Sequence, residues 1–247
     1  MNIIAIIPAR MGSSRFPGKP LKKINGMSMI EHVYFNVKKN KMLSETIVAT
    51  CDNEIKQHLE NKNINFIMTS KLHTRASDRC AEALIKIEKK NKIKYDIVVM
   101  VQGDEPMVHH NMINQSLRPI LKNSNVKVVN LYSEIKNKKD WYDKNCVKVI
   151  KDNSENAVYF SRNPIPYNNK FLKKKYYKQI CIIPFRRKYL LEYIKMKQTF
   201  LEKLESIDML RILENGDKVK LSKTNYITYP VDTLNDLKKV SKLMKNN

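Results

Sequence analysis

At 247 residues the length lies between one large α/β domain and two small ones, and folding should bury roughly 70% of the unfolded surface. The formal charge of +23 comes from lysines spread along the chain without an aromatic RNA motif or a helix-turn-helix, so we expect solvated lysine faces and no nucleic-acid partner. The four cysteines form no CxxC pair, which argues against a zinc site or a disulfide framework and favours a cytoplasmic protein.

Short apolar runs alternate with longer amphipathic stretches in the first half of the chain. The apolar runs predict strands at residues 3–7, 46–50, 64–68, 96–101 and 126–131. The amphipathic stretches predict helices at residues 29–39, 53–61, 78–90 and 111–122. The first run is too short for a signal peptide or a membrane span, so we expect no membrane insertion. This alternation predicts an α/β fold, a mostly parallel central sheet with helices on both faces.

The spacing of the predicted elements changes after Trp141. Closely spaced strand candidates at residues 146–151, 157–161 and 177–183 predict a small antiparallel excursion from the main sheet. A helix at residues 201–214 and a closing helix after Asp232 follow. The sequence contains no Gly/Ser linker and no internal repeat. We therefore predict a single domain, residues 1–247, with a smaller sheet embedded at residues 141–200.

The loop at residues 8–21 directly follows the first predicted strand and reads PARMGSSRFPGKPL. It combines two glycines and the hydroxyl of Ser13 with the cations Arg10, Arg15 and Lys19. These are the donors that a triphosphate needs, at the end of a strand where α/β sheets bind ligands. The glycine spacing fits neither a Walker A loop nor the dinucleotide motif GxGxxG. We interpret the segment as a phosphate-binding loop of another type.

Carboxylates occupy two further turns. Asp104 belongs to the turn VQGDEP after the predicted strand at residues 96–101, and Asp232 belongs to the segment YPVDTL. Magnesium needs only one or two protein carboxylates when phosphate oxygens and water complete its coordination. Both aspartates are therefore candidate magnesium ligands opposite the phosphate loop. Asp232 is also suited to begin the final helix as its N-cap, and the two roles are compatible.

Several motifs occur in order over essentially the whole chain: the phosphate loop, VQGDEP, YFSR at residues 159–162, LEKLESIDMLR at residues 201–211 and the terminal VDT. This set resembles the CMP-Kdo synthetases, the cytidylyltransferases of 3-deoxy-manno-octulosonate (Kdo). The resemblance implies a fold of the nucleotide-diphospho-sugar transferase type and a homodimer built through the smaller sheet, which would also hold the acceptor. It further implies transfer of CMP from CTP to an acidic sugar, Kdo or a related ulosonic acid, with release of pyrophosphate.

The resemblance also implies roles for individual residues. The expected catalytic residues are Lys19, Asp104 and Asp232, and both aspartates would bind Mg²⁺. The expected nucleotide-binding residues are Pro8, Ala9, Arg10, Ser13, Arg15, Lys19, Ser77 and Arg79. The expected acceptor-binding residues are Gln102, Arg162, Gln179 and Asp208. Among the last group, Arg162 is the candidate partner of the acceptor's carboxylate.

The predicted acceptor region departs from the family's pattern. Gln179, Ile183 and Met209 stand where the family has His, Tyr and Gln, so we expect weaker recognition of Kdo hydroxyls. Arg75 and Arg187 add positive charge. These differences leave open another anionic acceptor: a nonulosonic acid, an amino-substituted Kdo or a hydroxy-phosphonate. The alternative of a different class is a non-catalytic nucleotide-binding or RNA-binding protein.

Overall fold

The computed structural model describes residues 1–13, 15–168 and 176–245. The chain divides into two compact units. Unit 1 comprises Met1–Asn114 and Ile227–Asn247, and unit 2 comprises Gln115–Tyr226. Over the described ranges, none of the helices has the length and apolar character that a membrane span requires.

The β-strands, in chain order, are β1 (Ile3–Ala9), β2 (Lys23–Ile24), β3 (Met27–Ser28), β4 (Glu45–Thr50), β5 (Phe66–Met68), β6 (Ile97–Val101), β7 (Val129–Glu134), β8 (Lys148–Lys151), β9 (Ala157–Ser161), β10 (Tyr177–Ile180), β11 (Ile182–Arg186) and β12 (Lys220–Lys223). The α-helices are α1 (Met29–Lys38), α2 (Asn53–Asn61), α3 (Ala76–Asn91), α4 (His110–Lys122), α5 (Lys138–Tyr142), α6 (Arg187–Tyr193), α7 (Phe200–Glu205), α8 (Met209–Glu214) and α9 (Leu234–Lys245). A short 3-10 turn, Lys19–Leu21, follows the loop after β1.

Unit 1 is built on a parallel sheet with the strand order β6-β1-β4-β5. Every residue of β1 and β6 is buried, as expected for strands covered on both faces. In this sheet β4 and then β5 lie on one side of β1, and β6, which follows them in the chain, lies on the other side. Because such crossovers are right-handed, α1 and α2 cover one face and α3 covers the other. The predicted α/β fold is confirmed.

A hairpin of β2 and β3, which the sequence analysis missed, leads into α1. Its turn residues, Asn25 and Gly26, have φ angles of 48° and 93°. The pair Asn-Gly adopts such left-handed angles readily and is a strong hairpin signal. Ile24 of this hairpin packs in one apolar cluster with Val240 of α9. The C-terminal helix is thereby anchored in unit 1, next to the segment that carries Asp232.

Unit 2 contains a mixed sheet with the strand order β12-β7-β10-β8-β9. Neighbours are antiparallel except β7 and β12, which are parallel. The predicted antiparallel excursion is present, but it is wider than residues 141–200 because it includes β7 and β12. The strand predicted at residues 126–131 therefore belongs to this sheet as β7 and was wrongly assigned to the parallel one. The single-domain interpretation stays a prediction.

Two elements that were predicted as continuous are divided in unit 2. The strand at residues 177–183 separates at Cys181 into β10 and β11. The helix at residues 201–214 separates into α7 and α8 because Ser206 adopts a left-handed conformation with φ of 55°. Short apolar and amphipathic patterns do not reveal such single-residue breaks.

Candidate active site

A cavity of about 270 Å³ lies in unit 1 at the carboxyl ends of β1 and β6. Its wall is formed by the loop after β1, the segment before α3, the turn after β6, and Asp232. The basic lining residues are Arg10, Arg15, Lys19, Arg75 and Arg79, and the acidic ones are Asp104 and Asp232. Pro8, Ala9, Ser13 and Gln102 also line it. The carboxyl edge of a parallel sheet is where α/β proteins bind ligands, and this wall suits an anion.

The phosphate loop is folded on itself by its own backbone. The carbonyl oxygen of Met11 accepts hydrogen bonds from the N–H groups of Ser13 and Gly18, at 2.8 and 3.1 Å. The N–H of Met11 donates to Asp52 Oδ2 at 2.8 Å. Gly18, with φ of 70°, then turns the chain into the 3-10 turn that begins at Lys19. Sequence analysis missed Asp52, although its place directly after a strand is the same signal that identified Asp104.

The turn after β6 packs directly on the end of β1. A Cβ atom added to Gly103 would lie 2.9 Å from the carbonyl oxygen of Pro8, closer than side chains approach. Glycine at position 103 therefore lets the two strand ends meet. Asp104 follows at once and is brought to the edge of the phosphate loop.

Two hydrogen bonds fasten the turn of Asp104 to the segment of Asp232. The N–H of Val231 donates to the carbonyl oxygen of Asp104 at 2.9 Å. The hydroxyl of Thr228 donates to Glu105 Oε2 at 2.6 Å, and both side chains are buried. These bonds bring the two carboxylates together although they are far apart in sequence.

Lys19 lies between the two carboxylates. Its Nζ is 2.7 Å from Asp104 Oδ2 and 3.1 Å from Asp232 Oδ1. Arg15 Nη2 is 3.1 Å from the same oxygen of Asp232. Burial disfavours the charge on Lys19, but the two carboxylates outweigh burial and raise the pKa of its ammonium above the ordinary value. The predicted catalytic residues therefore lie together; their roles in catalysis stay predictions.

The carboxylate pair fits magnesium if a triphosphate supplies further ligands of the metal. Over residues 1–13, 15–168 and 176–245, no group of three or more His, Cys, Asp or Glu side chains could hold a metal ion. Asp104 and Asp232 supply two carboxylates, which suffice for magnesium when phosphate oxygens and water complete its shell. The pair thus fits a metal that arrives with a triphosphate, and does not form a complete metal cage by itself.

Arg79 shapes the opposite wall of the cavity. Its side chain is nearly buried and donates to Thr69 Oγ1 at 2.5 Å and to the carbonyl oxygens of Ser70 and His73 at 3.3 and 3.4 Å. Arg79 lines the cavity and also holds the loop before α3, and its role in nucleotide binding stays a prediction. Ser77, also predicted to bind nucleotide, is fully buried in α3, so its hydroxyl is not available to a ligand in this arrangement.

The same loop is held by a carboxylate that sequence analysis missed. Glu82 pairs with His73 and accepts hydrogen bonds from Ser70 N–H at 2.9 Å and from Lys86 Nζ at 2.6 Å. Burial would raise the pKa of Glu82, but these partners lower it to about 2. Its position one helical turn after Arg79 on α3 could have identified it as a residue that contacts the loop, since side chains at this spacing lie on the same face of a helix.

The remaining predicted acceptor residues lie in unit 2. The guanidinium of Arg162 donates to three backbone carbonyl oxygens, those of Glu205, Lys144 and Ser206, at 2.6, 3.0 and 3.3 Å. These bonds tie the end of β9 to the end of α7. Arg162 is therefore occupied in holding backbone segments together, which gives no support to the expected contact with an acceptor carboxylate.

Gln179 and Asp208 are likewise engaged within unit 2. Gln179 Nε2 donates to the buried Asn130 Oδ1 at 2.7 Å. Asp208 stands immediately before α8, and its carbonyl oxygen accepts a hydrogen bond from the hydroxyl of Tyr193 at 3.1 Å. Their role in acceptor binding stays a prediction.

Two of the positions that depart from the family's pattern are core positions. Ile183 and Met209 are 2% and 0% exposed and belong to the buried apolar core. Side chains so enclosed present no surface to a sugar. Their burial gives no structural basis for weaker recognition of Kdo through these two changes. Of the two added cations, Arg75 lines the cavity of unit 1, and Arg187 begins α6 in unit 2.

Comparisons with known proteins find relatives that match essentially the whole chain. A cytidylyltransferase family model matches residues 4–221. The 3-deoxy-manno-octulosonate cytidylyltransferase of Fusobacterium nucleatum is 40% identical, over 100% of this chain and 98% of its own length. The protein of the same name from Trichlorobacter lovleyi is also 40% identical, over 99% of each chain.

Solved structures of similar proteins cover the whole chain as well. The structure of a CMP:2-keto-3-deoxy-manno-octonic acid synthetase complexed with CTP is similar with a TM-score of 0.88 at 33% identity, over 100% of this chain and 99% of that one. A cytidylyltransferase from Leptospira borgpetersenii is similar with a TM-score of 0.65 at 15% identity, over 100% of this chain and 88% of that one, and shares the fold.

Proposed function

The chain belongs to the family of the 3-deoxy-manno-octulosonate cytidylyltransferases, and we propose that it transfers CMP from CTP to Kdo with release of pyrophosphate. The observation that carries this proposal is the cavity of unit 1, where Arg10, Arg15 and Lys19 lie at the strand edge together with Asp104 and Asp232. Full-length relatives at 40% identity that bear this name support Kdo as the acceptor. The burial of Ile183 and Met209 removes two of the sequence differences that favoured another acid. Gln179, Arg75 and Arg187 remain as the differences on which that alternative rests.

In the proposed reaction the triphosphate lies along the phosphate loop. An acceptor hydroxyl forms a bond to the α-phosphorus, the bond from that phosphorus to the α–β bridging oxygen breaks, and the hydroxyl proton is released to solvent or a base. Negative charge grows on the departing pyrophosphate. Arg10, Arg15 and Lys19 would stabilise that charge, and the loop backbone would orient the reactants. The reaction needs no covalent enzyme intermediate.

Magnesium is the proposed cofactor. Asp104 and Asp232 would hold it together with phosphate oxygens, as the two-carboxylate donor set requires. When bound, the metal neutralises charge on the triphosphate and makes the phosphorus more electrophilic.

We also propose that the protein acts in the cytoplasm as a homodimer, in lipopolysaccharide biosynthesis. All four cysteines are free thiols, which suits a reducing compartment. Unit 2 exposes large apolar side chains, among them Val158, Phe200 and Leu204, which are 56%, 73% and 70% exposed. Contiguous exposed apolar patches are typical of contact surfaces between proteins, and we propose that these side chains contribute to such a patch in the dimer.

The proposal is tested by pyrophosphate release from the purified chain with Mg²⁺. Release should require both CTP and Kdo, and UTP, ATP and GTP should be poor substitutes. Equal release from a purine triphosphate would contradict the assignment of the base. Absence of release together with tight RNA binding in a gel shift would favour the non-catalytic alternative.

A further inference from the structure

The carboxylates of the cavity are already neutralised by two side chains of the protein. Lys19 contacts both Asp104 and Asp232, and Arg15 contacts Asp232. Two positive charges therefore balance two negative ones within contact distance. The Asp232 and Lys19 side chains are only 12% and 13% exposed, so water screens their interaction weakly.

This arrangement opposes the binding of a divalent cation to the free protein. A metal ion on Asp104 and Asp232 must approach the ammonium of Lys19, which occupies the space between the two carboxylates. Like charges at such distances repel, and more strongly here than in bulk water because the Lys19 and Asp232 side chains are mostly buried. The metal must also compete for oxygens that already accept charge-assisted hydrogen bonds.

A triphosphate removes this obstacle by offering both cations another partner. Lys19 and Arg15 have long side chains whose charged ends can move while the backbone stays in place. The backbone of the loop is held independently, by the bond from Met11 to Asp52 and the bond from Gly18 to Met11. Transfer of the two cations to phosphate oxygens would free both carboxylates, and the same phosphates would complete the metal's coordination.

We propose that Lys19, assisted by Arg15, is a resident counter-cation that keeps a divalent metal from the carboxylate pair until a nucleoside triphosphate is bound. The inference rests on the proposed function for the identity of that nucleotide. Metal and triphosphate then bind with positive coupling, and each raises the affinity of the other by the same factor. Lys19 and Arg15 thus determine the order in which the site is filled.

The test measures binding of Mn²⁺ alone, as a probe for magnesium, to the nucleotide-free protein at pH 7.5 by electron paramagnetic resonance. We expect Lys19→Met to bind Mn²⁺ at least about tenfold more tightly than the wild type, a change that corresponds to about 1.4 kcal/mol. Arg15→Met should show a smaller increase, since Arg15 contacts one carboxylate. Lys19→Arg, which keeps the charge, should resemble the wild type.

The matched control is Lys41→Met, which removes an exposed lysine elsewhere in unit 1 and should leave Mn²⁺ affinity unchanged. Unchanged or weaker binding of Mn²⁺ by folded Lys19→Met would overturn the proposal. If Lys19→Met does not fold, Arg15→Met decides the question by the same criterion.

A second measurement tests whether CTP and Mn²⁺ increase each other's affinity for the protein. In the wild type, CTP should tighten Mn²⁺ binding beyond the contribution of the Mn²⁺–CTP complex measured without protein, and this enhancement should shrink in Lys19→Met. An equal enhancement in both proteins would contradict the role of Lys19. Because these measurements involve no turnover, a protein that fails to form CMP–Kdo but shows the expected Mn²⁺ affinities would refute the proposed function and leave this inference standing.

Discussion

The backbone N–H of Val231 donates a hydrogen bond to the carbonyl oxygen of Asp104, 2.9 Å away. This bond joins the C-terminal segment of unit 1 to the turn after β6. It sets Asp232 beside Asp104, so that Lys19 contacts both carboxylates. The acidic half of the candidate active site therefore depends on a main-chain contact that the side chains alone would not reveal.

Asp104→Asn and Asp232→Asn should each abolish turnover and leave the fold intact. In the proposed function each change removes a charge that would hold magnesium against the triphosphate, and a loss of at least about a hundredfold in kcat/KM is expected. Circular dichroism checks the fold, and Glu54→Gln serves as the control because it removes an exposed carboxylate elsewhere in unit 1. Near wild-type activity of either variant at saturating magnesium would show that its aspartate is not a ligand.

Gly103→Ala should lower both stability and activity. The added methyl group would lie 2.9 Å from the carbonyl oxygen of Pro8, so the ends of β1 and β6 must separate. Overpacking of this kind costs roughly 1–3 kcal/mol in unfolding free energy. Thermal unfolding and kcat/KM measure the two effects.

Gly12→Ala is the matched stability control for Gly103→Ala. A Cβ atom at Gly12 would meet nothing within 4 Å. Its Tm should stay close to that of the wild type. An equally small shift for Gly103→Ala would show that the strand ends tolerate separation.

The parallel sheet of unit 1 and the convergence of Lys19 with Asp104 could be predicted from the strand pattern, whereas Asp232 follows no strand directly and was predicted from the segment YPVDTL. Buried parallel strands are continuous apolar runs, and functional groups follow their carboxyl ends in a recognisable way. β7 could not be assigned to its sheet in this manner. An apolar run predicts a strand but does not identify its neighbour, which long-range pairing decides.

The acceptor residues were less predictable for a different reason. Motif matching assigns a position and a residue type, but it does not tell whether a guanidinium is free or bonded. Arg162 is occupied by three carbonyl oxygens, and Met209 is enclosed in the core. Asp52 and Glu82 hold loops through hydrogen bonds, and their positions, after β4 and on the same face of α3 as Arg79, are signals that motif matching does not use.

Arg211→Met should strongly destabilise the protein. Arg211 and Glu202 are 2% and 0% exposed at the side chain and form a two-point ion pair with distances of 2.6 and 2.7 Å. Removal of one partner leaves a buried carboxylate without its counter-charge, which costs about 3–5 kcal/mol. Urea unfolding measures the change in free energy.

Lys188→Met provides the comparison for Arg211→Met. Lys188 and Glu192 are 90% and 50% exposed at the side chain and 3.9 Å apart. Loss of such an exposed pair should change stability by less than about 1 kcal/mol. A similar loss in both variants would contradict the importance assigned to burial.

Glu82 should make stability depend on pH in acid. Its pKa is lowered from the ordinary 4.5 to about 2 by its hydrogen-bonding partners, so the ionised form stabilises the fold. This contribution is fully present above pH 4.5 and is lost as the pH falls toward 2. At about 1.4 kcal/mol per pKa unit the shift corresponds to about 3 kcal/mol, which solvent around the partly exposed carboxylate reduces to an expected contribution on the order of 2 kcal/mol. The difference in unfolding free energy between wild type and Glu82→Gln should therefore shrink over this range, and a difference independent of pH would refute the assignment.

The measurement that tests the central claim most directly is kcat/KM for Kdo, with CTP and Mg²⁺, compared with values for a nonulosonic acid, an amino-substituted Kdo and a hydroxy-phosphonate. Mass spectrometry identifies the CMP conjugate that forms in each case. We predict that CMP–Kdo is formed and that Kdo has the highest kcat/KM of the four acids. Absence of CMP–Kdo, or a higher kcat/KM for one of the other acids, would contradict the account.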